Sequence, residues 1–188
     1  MWLDPKNFKD YAVLEEATKI AQDIFKDLDL VAIRNQYVEP IGDDIPGVDW
    51  FGIIIYQREP IKELVSDKID QRFKLIHDMF AATDSIFQAV INVVGPNSIT
   101  PLHNDSRDYD GNPIKLGYTR GRITPYQMMT GVYMPPGDSG MQFASGYILR
   151  WTDGDIMAFD GSEDHHGWNN TSESRITLFL DVDKDAFK

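Results

Sequence analysis

His103-Asn104-Asp105 sets an imidazole and a carboxylate two residues apart. In an extended segment residues i and i+2 share a face. One short stretch can therefore offer a nitrogen and an oxygen to a single ion. A second His from a distant strand would complete two imidazoles and one carboxylate. That set holds one face of an octahedral ion and leaves three positions open, the pattern of non-haem Fe(II) oxygenases. The candidates for the second His are His165 and His166. They are adjacent, so in a strand they point to opposite faces and only one is a direct ligand; spacing does not choose between them. A lone His-x-Asp is a common coincidence in a chain this rich in Asp, and the later His pair is what gives it weight. His77 sits in a helical pattern between Ile76 and Asp78 and reads as a surface or packing residue.

Arg175 follows a polar turn and opens the apolar run Ile176-Thr177-Leu178-Phe179-Leu180. A guanidinium at the mouth of such a strand can face a cavity, where it offers a carboxylate a permanently charged fork. The competing reading is a surface Arg paired with Asp181 or Glu173.

Composition narrows the chemistry. The chain has no Cys, so a metal must be held by His, Asp, Glu or backbone oxygen. Lys plus Arg is 18 and Asp plus Glu is 30, a net charge of −12. That balance argues against binding a nucleic acid backbone or an anionic membrane. The first twenty residues carry Asp4, Asp10, Glu15 and Glu16 without the apolar run of a signal peptide. No apolar stretch approaches a membrane span, so the expectation is a cytoplasmic protein. At 188 residues, one domain is expected over 1–188.

The elements that must position these residues fall into two parts. Val13, Leu14, Ala17, Ile20, Ala21, Ile24, Phe25 and Leu28 recur at helical spacing, with Pro5 and Asn7 placed to start the helix. Phe51–Tyr56 is β-branched and aromatic and reads as a strand. A second helical region opens at Pro60 and carries the stripe Ile69, Phe73, Ile76, Met79 and Phe80. From about Ser85 short strands take over, near 87–94, 126–134, 141–143, 147–151, 155–159, 164–168 and 175–182, broken at Pro135–Asp138, Thr152–Asp155 and Asn169–Ser172. The fold expected is mainly β with N-terminal helices: a helix-rich supporting segment over 1–84 and a β-sandwich or barrel over 85–188. The polar stretch 101–123 is a long loop of the kind that usually serves function.

The segment Phe159-Asp160-Gly161-Ser162-Glu163-Asp164-His165-His166-Gly167-Trp168, followed by Arg175-Ile176-Thr177-Leu178-Phe179, resembles the C-terminal motif of the aspartyl/asparaginyl β-hydroxylase family. In that pattern Phe-Asp precedes a His, with Trp three positions and Arg ten positions after it; His165, Trp168 and Arg175 hold those places. Gly95–His103 is similar to the approach to the family's first ligand His, and Gly131–Pro135 and Trp151–Gly154 are similar to its middle strands.

The resemblance implies a double-stranded β-helix (cupin or jelly-roll) core and an Fe(II)- and 2-oxoglutarate-dependent oxygenase. It implies that His103, Asp105 and His165 hold Fe(II), which settles the His165/His166 choice. It assigns Arg175 to the far carboxylate of 2-oxoglutarate. Some family members have Gly where Asp105 stands; here the full ligand set is present, as in small free-amino-acid hydroxylases similar to this family. The family usually offers basic residues to the cosubstrate before Gly131. This chain has Gln127 and Met129 there, leaving Asn92 and Gln127 as polar candidates beside Arg175.

With O2 as co-reactant, the implied reaction hydroxylates an unactivated C–H and releases succinate and CO2. A carboxylate at Asp105 fills the place a halide would need, so hydroxylation rather than halogenation is expected. The substrate expected is an amino acid or short peptide, with Arg120, Arg122, His166 and Trp168 as candidate contacts and Trp50 and Tyr56 as candidate pocket walls. Two other classes compete. One is a non-oxygenase cupin metal enzyme, an isomerase or hydrolase; the other is an inactive small-molecule-binding β-domain.

Overall fold

The computed structural model describes residues 2–30, 48–58, 71–105 and 126–188. Among these described residues, ten strands form two antiparallel sheets: β1 (Trp2–Leu3), β2 (Trp50–Gln57), β3 (Ile86–Val94), β4 (Ser98–Ile99), β5 (Tyr126–Tyr133), β6 (Ser139–Phe143), β7 (Ile148–Leu149), β8 (Ile156–Asp160), β9 (His165–Asn169) and β10 (Arg175–Val182). The larger sheet runs β1-β8-β5-β10-β3-β2 and the smaller runs β4-β9-β6-β7. From β3 to β10 the chain crosses between the sheets, with only the β6–β7 hairpin staying in one. That winding is a double-stranded β-helix, and the fold is mainly β.

The breaks expected from Gly, Pro, Asn and Asp fall between β5 and β6, before β8, and between β9 and β10. Two turns need the left-handed backbone glycine allows: Gly146 in the β6–β7 hairpin (φ 85°) and Gly154 before β8 (φ 81°). The strand expected over 147–151 is only Ile148–Leu149.

The two faces of the larger sheet have different tasks. Along β3, Ile86, Ala89, Ile91 and Val93 are buried in the main core together with Phe51, Ile53 and Ile55 of β2 and Leu178 and Leu180 of β10. Helices α1 (Tyr11–Phe25) and α2 (Lys74–Ala81) cover this outer face. In α1 the buried residues Leu14, Ala17, Thr18 and Ala21 follow the helical period. Thr18 Oγ1 donates back to Leu14 O at 2.7 Å and lies 3.0 Å from Thr130 Oγ1 of β5, fixing helix to sheet. Pro5 and Asn7 do not start this helix. They form a separate single turn, capped by Asp4, and α1 begins at Tyr11. Residues 59–70 lie outside the described residues; the second helical region is seen as a single turn at Gln71–Phe73 running into α2.

Residues 1–84 do more than support the β-unit, because β2 pairs with β3 and β1 pairs with β8, forming both borders of the larger sheet. Among the described residues, no helix is long and apolar enough to cross a membrane.

Candidate metal centre and adjoining cavity

His103 and His165 come together as a backbone bridge: each N–H donates to the other's carbonyl, at 3.0 and 2.7 Å. Two residues past His103, the Asp105 N–H donates to Gly161 O at 2.9 Å. These three bonds bring a loop after β4 against the start of β9. The ligand atoms of His103, Asp105 and His165 all lie within 4.8 Å of one another. Asp105 reaches His165 Nε2 at 3.4 Å and His103 Nε2 at 4.0 Å.

The donor set fits a divalent metal. His103 Nδ1 lies 2.6 Å from Pro101 O, and His165 Nδ1 lies 2.8 Å from Glu163 O. A carbonyl only accepts, so each Nδ1 carries the proton and each Nε2 presents a lone pair to the cluster. Asp105 Oδ2 is buried with no hydrogen-bond partner, a costly state that a cation would relieve. Burial holds the His165 imidazole below its ordinary pKa; the Asp105 charge acts in the opposite sense, and His103 adds to the depression. A neutral imidazole is the form that binds metal. Aromatic rings fix both imidazoles: Trp50 lies against His103 at 5.2 Å between centroids, and Phe143 and Phe159 against His165 at 5.4 and 5.8 Å.

The cluster opens onto a cavity of about 230 Å³ between the sheets. Its walls come from the inner face of the larger sheet: Gln88, Val90 and Asn92 of β3, Gln127 and Met129 of β5, and Arg175, Phe179 and Asp181 of β10. Trp50, Thr100, Met141 and Gly167 complete it.

Arg175 is 2% exposed. Its Nη1 donates to Gly140 O at 2.8 Å and to Trp168 O at 3.3 Å, its guanidinium lies over the Trp151 ring at 5.3 Å, and Nε has no partner. No described carboxylate pairs with it. Asp181 stands at the other end of the same strand, and Glu173 instead accepts from Tyr133 Oη at 2.5 Å. Burial lowers the guanidinium pKa to about 10, so the cation persists at neutral pH.

Gly167 makes room for this arrangement. A Cβ there would meet Arg175 Nη2 at 2.9 Å. Its N–H donates to Thr100 Oγ1 at 2.7 Å. Neither Gly167 nor Thr100 was singled out from sequence; glycine two places after a ligand His was the available signal, and the Thr100 contact depends on β4–β9 pairing.

Among the remaining expected site residues, Asn92 is on the cavity wall. Its Oδ1 accepts from Trp50 Nε1 at 2.5 Å, and it pairs with Thr177, one inward step along β10 from Arg175. Gln127 also lines the cavity, but its register partner is Asp181, about 20 Å of strand away from Arg175. His166 and Trp168 are not brought to the cavity. They alternate with His165 and Gly167 along β9, so the strand period turns them to the opposite face. There Trp168 packs under the Arg150 guanidinium at 5.2 Å. Tyr56 is likewise absent from the walls, buried in the main core against Phe80 and His77. Arg120 and Arg122, with most of the polar loop, lie outside the described residues.

Fold and cluster together define a double-stranded β-helix protein with a two-His, one-Asp cluster whose geometry suits a metal ion. The chain belongs to the aspartyl/asparaginyl β-hydroxylase family, whose profile matches residues 11–185. It is thus a member of a hydroxylase family. A curated relative, the ornithine lipid ester-linked acyl 2-hydroxylase of Rhizobium tropici, is 26% identical over 120 residues, covering 62% of this chain and 38% of that protein. The match therefore spans well under half of that relative's length. Solved structures similar to this one include a 2OG-Fe(II) oxygenase family oxidoreductase from Burkholderia pseudomallei, at 13% identity, TM-score 0.45, covering 82% of this chain and 75% of that one. A cupin domain from Bordetella pertussis matches at 11% identity, TM-score 0.37, over 53% of this chain and 83% of that one.

Proposed function

We propose that the protein is an Fe(II)- and 2-oxoglutarate-dependent hydroxylase acting on an unactivated C–H of an amino acid or amino-acid residue. The observation that carries this reading is Arg175, a buried guanidinium with no carboxylate partner among the described residues, on the wall of the cavity that the His103–Asp105–His165 cluster opens into. A non-oxygenase metal enzyme has no use for that cation, whereas a dicarboxylate cosubstrate does.

His103, Asp105 and His165 would hold the metal, with both imidazoles locked by main-chain carbonyls. When bound, Fe(II) with 2-oxoglutarate and O2 supplies the oxidising power for hydroxylation, and 2-oxoglutarate leaves as succinate and CO2. Arg175 neutralises the far carboxylate of 2-oxoglutarate and fixes its direction, with Gly167 and Asn92 shaping the space beside it. Val90, Met129 and Phe179 exclude water from the middle of the cavity. The small volume suits a slender substrate portion. The Rhizobium relative is named for hydroxylating an acyl group of a lipid, so a substrate built on an amino-acid headgroup belongs in the same panel as free amino acids. In this reading residues 85–188 carry the metal and cosubstrate site and residues 1–84 brace it, lending Trp50 to the wall.

The test is succinate release after anaerobic Fe(II) loading, across a panel of amino acids and aminoacyl lipids. Wild-type turnover is expected to need both Fe(II) and 2-oxoglutarate, and Asp105→Ala to reduce it at least 100-fold. Full turnover by Asp105→Ala removes Asp105 from the ligand set. Failure to bind Fe(II) even under anaerobic loading favours the binding-domain alternative; metal binding without 2-oxoglutarate binding favours an isomerase or hydrolase.

A further inference from the structure

Trp50 comes from the helix-rich first part of the chain, yet it stands in the cavity wall. It opens β2, the border strand of the larger sheet. Its side chain falls on the inner face because Phe51, Ile53 and Ile55 take the outer one. Antiparallel register sets Trp50 in one row with Val94 and Arg175, and sets Gly52, Asn92 and Thr177 in the next. Trp50 and Asn92 are thus diagonal neighbours across two strands, a separation that a long aromatic side chain bridges. Gly52, directly opposite Asn92, has no side chain to compete for that reach.

The indole makes two contacts there. Its Nε1–H donates to Asn92 Oδ1 at 2.5 Å, and its ring lies against His103 at 5.2 Å between centroids. The first contact fixes which way the amide faces. An indole nitrogen only donates, so the Asn92 atom against it is the oxygen. That leaves Nδ2 and its two hydrogens as what Asn92 offers a ligand. Asn92 lines the cavity in the row next to the Arg175 guanidinium. An amide free to turn would also present its oxygen there, and an oxygen repels an anion.

We infer that Trp50 is a positioning residue, which holds Asn92 as a hydrogen-bond donor to the anionic ligand that Arg175 grips. The identity of that ligand as 2-oxoglutarate rests on the hydroxylase reading. Two neighbouring donors, one of them cationic, suit a carboxylate. The same ring packs the His103 imidazole. One residue from the first part of the chain therefore serves both the metal cluster and the carboxylate-binding wall.

The test is calorimetric binding of 2-oxoglutarate, succinate and L-malate to the Zn(II)-loaded chain, with zinc as a redox-inert stand-in. Trp50→Phe keeps an aromatic ring and removes the N–H. It is expected to weaken dicarboxylate binding about 10-fold, the scale of one hydrogen bond to a charged group, and Asn92→Ala to do the same. The double variant is expected to lose no more than either single one, because Trp50 acts through Asn92. Asn92→Asp keeps an acceptor for Trp50 but turns an anion on the ligand. It is expected to bind at least 10-fold more weakly than Asn92→Ala, a difference that loosening of the wall does not produce. In a 1H–15N spectrum the Trp50 indole N–H signal is expected to move upfield in Asn92→Ala, which lacks its acceptor. Additive losses in the double variant, unchanged binding in Trp50→Phe, Asn92→Asp no weaker than Asn92→Ala, or an unmoved indole signal overturns the inference. The Asn92 variants and the indole signal decide it even where Trp50→Phe fails to fold. Succinate or malate binding with this coupling, but no 2-oxoglutarate binding, defeats the hydroxylase reading alone. Binding of 2-oxoglutarate without the coupling defeats this inference alone, and failure of every dicarboxylate to bind defeats both.

Discussion

At the scale of single residues, Arg175 and His165 show burial used in two directions. Arg175 keeps its charge inside the protein because two backbone carbonyls and the Trp151 face hold it. Lysine at this place keeps the charge but loses the planar fork. Arg175→Lys is expected to raise the 2-oxoglutarate KM about 10- to 100-fold, the equivalent of the ~1.5–3 kcal/mol typical of one charged hydrogen bond, with Fe(II) affinity retained. His165 is held neutral instead. Its depressed pKa means that the unfolded chain binds this proton more readily than the native one. The native state is therefore fully favoured above pH ~6.5, the ordinary His value, and loses this contribution as pH falls below it. Urea unfolding of the metal-free protein between pH 7.5 and 5 should show a steeper loss of stability than in His165→Gln; parallel curves would refute this. The grouping of His103, Asp105 and His165 was legible in the sequence, because His103 and Asp105 share a short segment and His165 stands in a specific motif. The pairing of Gln127 with Asp181 was not, because it is set by register between β5 and β10.

At the scale of elements, β9 serves two jobs by alternation. Its inward positions are His165, Gly167 and Asn169: a member of the candidate metal cluster, a clearance for Arg175, and a buried amide that donates to Val94, Gly95 and Glu173 carbonyls at 2.8–3.0 Å. Its outward positions, His166 and Trp168, pack on the far side of the smaller sheet. Period-two alternation applied to the His pair would have placed Trp168 with His166, but the family motif drew both toward the substrate. Gly167→Ala puts a methyl within 2.9 Å of Arg175 Nη2. The guanidinium must move off Gly140 O, so 2-oxoglutarate affinity is expected to fall at least 10-fold. Fe(II) affinity and melting temperature should change little, which titrations and a thermal scan would show. Equal loss of metal and cosubstrate binding would mean that the methyl disturbs β9 as a whole. The helices were legible from their apolar period, and most strands from their punctuation. Two-residue strands such as β1 and β4 carry no period to read, and only pairing with β8 and β9 makes them strands.

At the scale of the whole molecule, residues far apart in sequence close the larger sheet at both borders. Near β1, the chain's two ends are laced together: Phe8 bridges Phe187, the Lys9 N–H donates to Ala186 O, and the Lys188 N–H donates to Asn7 O. Trp2 and Leu3 then lie along Phe159 and Ala158 of β8. Strand β8 reads Ile156-Met157-Ala158-Phe159-Asp160, a mostly apolar row whose outer edge β1 pairs with at Ala158 and Phe159. Without those residues β8 becomes a bare border of the kind that recruits another chain. Removing residues 1–3 is expected to yield stronger concentration-dependent self-association in sedimentation velocity than the 188-residue chain shows; equal behaviour of the two would refute this. On that outcome, a two-residue strand with little local preference of its own acts as a stopper against polymerisation.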